Sequence, residues 1–216
     1  MRTTFYSNLP KRVIDVAGSL LGLVVLSPLI GLVCLIVRCK LGTPVLFRQE
    51  RLGTLGHLFL LYKFRTMNVG RDSSSAALPD AQRLTPFGCW LRRTSMDELP
   101  QLFNVLLGEM SLVGPRPLLP EYLARYNSFQ CRRHEIKPGI TGWAQVNGRN
   151  LVTWDEKFAL DVWYIDHQSL GLDLKILGLT ALRVLRRSGV SAEGNATMPE
   201  FMGGTRESNR KSVVAE

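Results

Sequence analysis

The longest uninterrupted apolar stretch runs from Val13 to Val37, VIDVAGSLLGLVVLSPLIGLVCLIV, with Asp15 as its single charge. A run without a polar face marks a helix surrounded by lipid or by a large core. As one straight helix it would reach about 37 Å, enough for a hydrocarbon layer of about 30 Å, so a plain transmembrane span is one reading. Its flanks and its middle favour another. Lys11 and Arg12 precede the run and Arg38 and Lys40 follow it, which by the positive-inside rule puts both ends on the cytoplasmic side. Near the middle stand Ser27 and Pro28; proline removes the amide that would bond the Val24 carbonyl and bends the helix, while the Ser27 hydroxyl is placed to satisfy part of the broken ladder. The expectation is a re-entrant helix-break-helix hairpin formed by residues 1–40. A cleaved signal peptide is not expected, because the small-residue cleavage pattern is missing and the apolar run continues past Pro28.

Beyond the anchor the periodicity changes. PVLFRQERLG and HLFLLYKFRTM, divided by the Gly53 to Gly56 turn signal, read as a β-hairpin between Thr43 and Met67. Alternation puts Lys63 and Arg65 on one face of its second strand. Asn68 to Thr85 reads as a long polar loop. Leu99, Leu102, Phe103 and Leu106 have the spacing of an amphipathic helix over Ser95 to Leu107, ended by Gly108, with Asp97 and Glu98 in its first turn. ITGWAQV lies between Lys137-Pro138-Gly139 and Asn147-Gly148-Arg149-Asn150 and reads as turn, short strand and turn. Leu172 to Arg187 mixes leucine with Lys175, Arg183, Arg186 and Arg187, which suits a helix in the membrane interface or a packed helix with a basic rim. From Ser188 the polar composition predicts a mostly disordered tail over 188–216. The fold expected is α+β and helix-dominated, with one small globular domain over 41–187 and no internal repeat.

Composition narrows the chemistry. The chain has 216 residues, enough for one domain of ordinary size, and a net charge of +9 from 27 Lys and Arg against 18 Asp and Glu. That balance suits an anionic partner, whether nucleic acid, a lipid surface or a phosphorylated substrate, without choosing among them. Cys34, Cys39, Cys89 and Cys131 show no paired spacing, and His57, His134 and His167 are isolated, so neither a zinc site nor a disulfide framework is indicated. Neither G-x-x-x-x-G-K-[ST] nor G-x-G-x-x-G occurs, which argues against a nucleotide-hydrolysing or dinucleotide-binding domain and leaves phosphates to side chains and metal.

RRTSMDELPQLFNVL puts adjacent carboxylates at a helix start, where free amides and the macrodipole favour the ionised form. A carboxylate held there suits a nucleophile; the plain alternative is a Ser95-x-x-Glu98 capping box, with Asp97 as ordinary first-turn acid. The surroundings favour chemistry: Lys63 and Arg65 before the pair, Arg92 and Arg93 just upstream, and Gly114-Pro115-Arg116-Pro117 downstream. Two prolines restrict the backbone on either side of Arg116, whose planar fork matches a phosphate. Trp143 and Gln145 are available for a base or sugar.

Taken in order, the apolar run with Ser27-Pro28, YKFRTM, DELPQLFNVL, EMSLVGPRP and KPGITGWAQVNGR resemble the bacterial sugar transferases called monotopic phosphoglycosyl transferases. The likeness covers about residues 10 to 190 and is closest to the small members that begin glycoprotein glycan assembly, since the extra transmembrane helices and nucleotide-fold domain of larger members are not in the sequence. It implies transfer of a sugar-1-phosphate from a UDP-sugar to polyprenol (undecaprenyl) phosphate, with release of UMP. Asp97 would be the nucleophile and Glu98 a Mg2+ ligand; Lys63, Arg92 and Arg116 would contact phosphate, and Arg149 the nucleotide. The donor implied is a UDP-linked N-acetylated hexosamine such as diacetylbacillosamine, with UDP-galactose and UDP-glucose behind it. The resemblance also implies the re-entrant anchor, membrane lipid rather than nucleic acid as partner, and a catalytic domain on the cytoplasmic face of the inner membrane. An exposed interfacial helix would suit a homodimer. Two other readings share these residues: a ternary-complex transferase in which Asp97 is only a metal ligand, and a basic membrane-anchored binding protein without catalysis.

Overall fold

In the computed structural model of the chain, residues 9–68, 83–148, 153–186 and 200–203 are described. Helix α1 (Leu9–Leu41) has 33 residues and is long and apolar enough to cross a membrane. Helical geometry continues through Pro28, so the expected break is a lost hydrogen bond rather than a change of element. The Ser27 hydroxyl donates at 2.8 Å to the Val24 carbonyl that Pro28 leaves unbonded.

The first part of α1 is built into the globular body. Lys11 forms a buried ion pair with Asp173 at 2.5 Å. Arg12 donates to the Val105 and Leu106 carbonyls at 2.6 and 2.8 Å, bonding the carbonyls exposed at the end of a neighbouring helix. Asp15 Oδ1 accepts from the Ser111 hydroxyl and the Leu112 amide at 3.0 and 2.9 Å. The second part packs Val33 and Val37 against Phe64 and Leu91. Between and around these anchors Leu20, Leu21, Val24, Val25, Leu32 and Leu35 remain exposed. A charged base locked into the domain and a bare apolar surface above it is the arrangement of a membrane-associated helix.

The hairpin forms as expected: β1 (Leu46–Leu52) pairs antiparallel with β2 (Leu58–Phe64), Phe47 opposite Lys63 and Arg51 opposite Phe59. Lys63 and Arg65 do not share a strand face, because β2 ends at Phe64. Arg65 turns back to donate to the Thr43 carbonyl at 2.8 Å, tying the hairpin base to the chain leaving α1. The expected polar loop falls almost wholly on residues 69–82, outside the described residues. Helix α2 (Pro86–Arg93) begins with Thr85 accepting from the Gly88 amide and with Pro86 in its first turn.

Helix α3 (Gln101–Leu107) ends at Gly108 in the left-handed conformation, as the sequence indicated. Its start and buried face differ from expectation. Pro100 is its cap, so Met96–Glu98 form a separate 3-10 turn. The buried face carries Gln101, Leu102, Asn104 and Val105, while Phe103 and Leu107 point outward. Asn104 decides this rotation: its amide donates to the Leu60 carbonyl and to Glu109, each at 2.7 Å, and accepts from the Tyr62 amide at 3.1 Å. A buried amide with its hydrogen bonds satisfied outweighs the apolar stripe.

A parallel pair, β3 (Ser111–Val113) and β4 (Gly139–Thr141), lies beside α3. The backbones approach so closely that a side chain at Gly139 would place its first carbon 2.1 Å from the Gly114 amide nitrogen. The strand expected across ITGWAQV therefore covers only its start. After Gly142 the chain turns into α5 (Trp143–Asn147), which buries Ala144 and Val146. The short helix α4 (Ser128–Cys131) precedes β4; α6 (Trp154–Asp166) opens with a Thr153–Glu156 capping box, and α7 (Leu170–Arg186) follows it. Val113, Val146, Tyr164 and Ile176 form the core between these elements. The tail expected from Ser188 has one segment among the described residues, and Phe201 there is 3% exposed, packed on Leu118, Tyr122 and Phe158.

Candidate active site

The carboxylate pair is presented by backbone rather than by a helix start. Ser95, with φ 55 and ψ 16, occupies the left-handed region that a residue with a side chain enters at a cost. It caps nothing with its side chain, which removes the capping-box reading: Glu98 is turned away from Ser95 and spent on cations. Glu98 Oε1 receives Lys63 Nζ from β2 and Arg116 Nη2 from the GPRP loop, each at 2.7 Å. The Asn104 bonds to Leu60 and Tyr62 hold α3 against β2 close to Lys63, so the hairpin and the acidic turn meet in fixed register.

The two neighbours titrate in opposite directions. Burial and the Glu98 charge push the Asp97 carboxyl up to about 6, against the opposing pull of Lys63, Arg116 and Arg92. At Glu98 burial also raises, but Arg116 and Lys63 overcome it and hold the carboxyl well below the usual range. The expectation that a helix start would favour ionised Asp97 is thus corrected: the turn is 3-10, and desolvation dominates. Burial lowers Lys63, with Glu98 opposing, whereas Glu98 raises Arg116.

Of the residues singled out from sequence, Asp97, Glu98, Lys63 and Arg116 converge, and Arg92 stands close enough to favour ionised Asp97 while its Nε donates to Thr66 at 3.1 Å. Gln145 does not join them: its amide donates to the Ile140 carbonyl at 3.0 Å, on β4. Arg149 lies outside the described residues. Two further residues line the cleft with Leu61, Lys63, Arg116 and Pro117, namely Arg51 and Gln101. Arg51 lies opposite Phe59 in β1, and burial, with Arg116 nearby, lowers it to about 10. The register that carries it to the Lys63 face was the available signal in the sequence.

Chemically, Lys63 and Arg116 each use part of their donor capacity on Glu98, and an ammonium has three N–H groups and a guanidinium five. Both retain donors for a phosphate. The site therefore brings a desolvated carboxylate, Asp97, under the influence of cations suited to a phosphoryl group.

Residues 6–187 match the family model described as Bacterial sugar transferase. The chain is 52% identical over 193 residues to an uncharacterized sugar transferase, EpsL, of Bacillus subtilis, an alignment covering 89% of this chain and 96% of that one. It is 45% identical over 196 residues to the undecaprenyl-phosphate glucose phosphotransferase of Komagataeibacter xylinus, covering 82% of this chain and 36% of that longer protein. Over 200 residues it is 40% identical to the undecaprenyl-phosphate galactose phosphotransferase of Salmonella typhimurium, covering 85% of this chain and 42% of that one. The chain belongs to the bacterial sugar transferase family.

Proposed function

We propose that this protein transfers a sugar-1-phosphate from a UDP-sugar to polyprenol phosphate through a phosphosugar carried on Asp97. The observation that supports this reading most directly is the desolvated Asp97 beside a Glu98 that two cations keep ionised. In the first step an Asp97 oxygen bonds to the sugar-linked phosphorus as its bond to the bridging oxygen breaks, and UMP departs. In the second, a phosphate oxygen of the polyprenol attacks the same phosphorus, the acyl-phosphate bond breaks, and the Asp97 carboxylate is restored. Lys63 and Arg116 receive the charge on the phosphoryl oxygens. Arg92 and Arg51 add positive potential to the cleft.

The residues suit a magnesium ion. Two adjacent carboxylates are present, both cations bound to Glu98 fall on Oε1, and magnesium commonly takes one or two carboxylates together with substrate phosphates. Glu98 is its proposed ligand. When bound, the ion neutralises charge on the pyrophosphate.

The glucose and galactose named in the relatives put UDP-glucose and UDP-galactose beside the N-acetylated hexosamines, diacetylbacillosamine included, as donors to test. Purified protein with magnesium and polyprenol phosphate is expected to release UMP from one of these, and to stop when EDTA removes the ion. No release from any member of the panel would refute the reaction.

The anchor is read as re-entrant. Both halves of α1 contact the same globular body, at Lys11 and Asp15 and again at Val33 and Val37, which supports entry and exit through one, cytoplasmic, face of the inner membrane. The exposed Phe103 and Leu107 of α3 suit a domain resting at the lipid surface, where a polyprenol acceptor stays in its solvent. A cysteine introduced at Thr3 should resist periplasmic labelling; reaction from that side would establish a span instead.

A further inference from the structure

The GPRP loop delivers Arg116 to Glu98, and proline on either side restricts its backbone. Something must still fix that loop relative to the acidic turn. The carbonyl of Arg116 itself accepts at 2.8 Å from Nη2 of Arg133, and the same nitrogen donates to Asp161 Oδ2 at 2.8 Å. Both side chains of the Arg133–Asp161 pair are 2% exposed. A fully buried ion pair is a poor way to stabilise a fold, since desolvation consumes much of its attraction. A planar fork that holds a carboxylate and a carbonyl together is a good way to set an orientation.

The guanidinium is also enclosed. Its centre lies 6.0 Å from the Tyr126 ring and 5.4 Å from the Phe158 ring. Phe201 closes this cage from the far end of the chain, with ring centroids 5.7 Å from Tyr126 and 5.1 Å from Phe158. Arg125 ties the segment down, bonding Glu200 at 2.7 Å and the Phe201 carbonyl. No described residue of that segment lines the cleft, yet it packs on the rings that confine Arg133.

We propose that Arg133, oriented by Asp161 and confined by the Phe201 segment, is a positioning residue that sets Arg116 against Glu98, so that residues far along the chain govern the rate of phosphoryl transfer. The inference rests on the reaction proposed above. A displacement of about 1 Å at a reacting centre can cost roughly 100-fold in rate, so the expected effects are on turnover rather than on substrate binding.

A double-mutant cycle in the full-length protein tests it, with UMP formation as the readout and the melting temperature of every variant recorded. Arg133→Lys keeps a charge for Asp161 but carries it on a shorter stem and without the guanidinium plane that Tyr126 and Phe158 enclose, so the nitrogen is no longer held between both partners, and kcat should fall roughly 10-fold with KM within about twofold. In an Arg116→Lys background the same change should have less than about a twofold effect, because the group it acts through is already altered. Phe201→Ala should lower kcat about threefold or more, and Phe201→Leu, which refills the cage, should recover most of it. Equal losses from Arg133→Lys in both backgrounds would overturn the positioning role while leaving the reaction standing. Unchanged kcat in Phe201→Ala would remove the C-terminal segment from it. A wild-type protein that forms no UMP from any UDP-sugar would refute the reaction, and the inference with it.

Discussion

Asp97→Asn is expected to abolish UMP release, by roughly 10⁴-fold or more as for loss of a covalent nucleophile, and at the same time to raise the melting temperature at neutral pH. The two effects have one cause. In the folded protein burial and Glu98 lift the Asp97 carboxyl from 3.8 to about 6, so its ionised form costs the fold free energy that the unfolded chain does not bear. A displacement of that size corresponds to about 3 kcal/mol, of which an uncharged isostere should recover about 1–3 kcal/mol. The sign sets the window: the folded state holds the proton more tightly, so the penalty is complete above about pH 6 and vanishes below about pH 4. The stability gain of Asp97→Asn should follow it, full at pH 7.5 and gone at pH 4. Wild-type activity at low UDP-sugar should fall about tenfold per unit as pH drops below 6, because the nucleophile must be ionised. Melting curves and pH-rate profiles in detergent measure both. An Asp97→Asn variant that kept more than about a tenth of wild-type turnover would exclude a nucleophilic role.

Glu98→Gln should do the reverse to stability while also removing activity. This carboxylate, although half-buried, is held well below its ordinary range by Arg116 and Lys63, so its contribution is present at neutral pH and is lost only on strong acidification. Neutralising it leaves two cations facing each other in the cleft. Breaking a buried pair typically costs about 3–5 kcal/mol. Since the Arg116 side chain is 38% exposed and water can rescue part of it, about 2–3 kcal/mol is expected. Turnover should fall at least about 100-fold, as Arg116 and Lys63 lose the group that orients them and the magnesium ion proposed above would lose its ligand. Two adjacent isosteric substitutions, one raising and one lowering the melting temperature, would be hard to obtain from a pair that served only as helix-start acids. Equal shifts of the same sign would contradict the electrostatic account.

Much of the site was legible because it depends on local rules. Alternation in HLFLLYKF places Lys63 in a strand, the prolines of GPRP identify Arg116 as a restrained guanidinium, and Ser27-Pro28 marks the altered ladder in α1, where the Ser27 bond forms as expected. What escaped the sequence depends on long-range contacts. Ser95 takes a left-handed conformation that no local pattern demands. Asn104 looks like an ordinary polar helix residue until Leu60, Tyr62 and Glu109 are brought around it, and its burial rotates α3 so that Phe103 faces outward. Arg51 and Arg133 carry no motif; one depends on strand register and the other on Asp161, on a different helix. Phe201 stands in a polar stretch, and only its partners Tyr126 and Phe158 explain why it is buried.

The central claim is that Asp97 bonds covalently to the sugar-linked phosphorus. Its most direct test is to incubate purified protein with magnesium and the accepted UDP-sugar, without polyprenol phosphate, and to measure UMP and the mass of the peptide containing Asp97. A burst of one UMP per active protein and a peptide heavier by one sugar phosphate are predicted; adding acceptor should remove the adduct and let UMP release continue past one equivalent, and Asp97→Asn should abolish both. Turnover only when polyprenol phosphate is present, with an unmodified Asp97 peptide at every time point, would contradict it and establish direct transfer in a ternary complex.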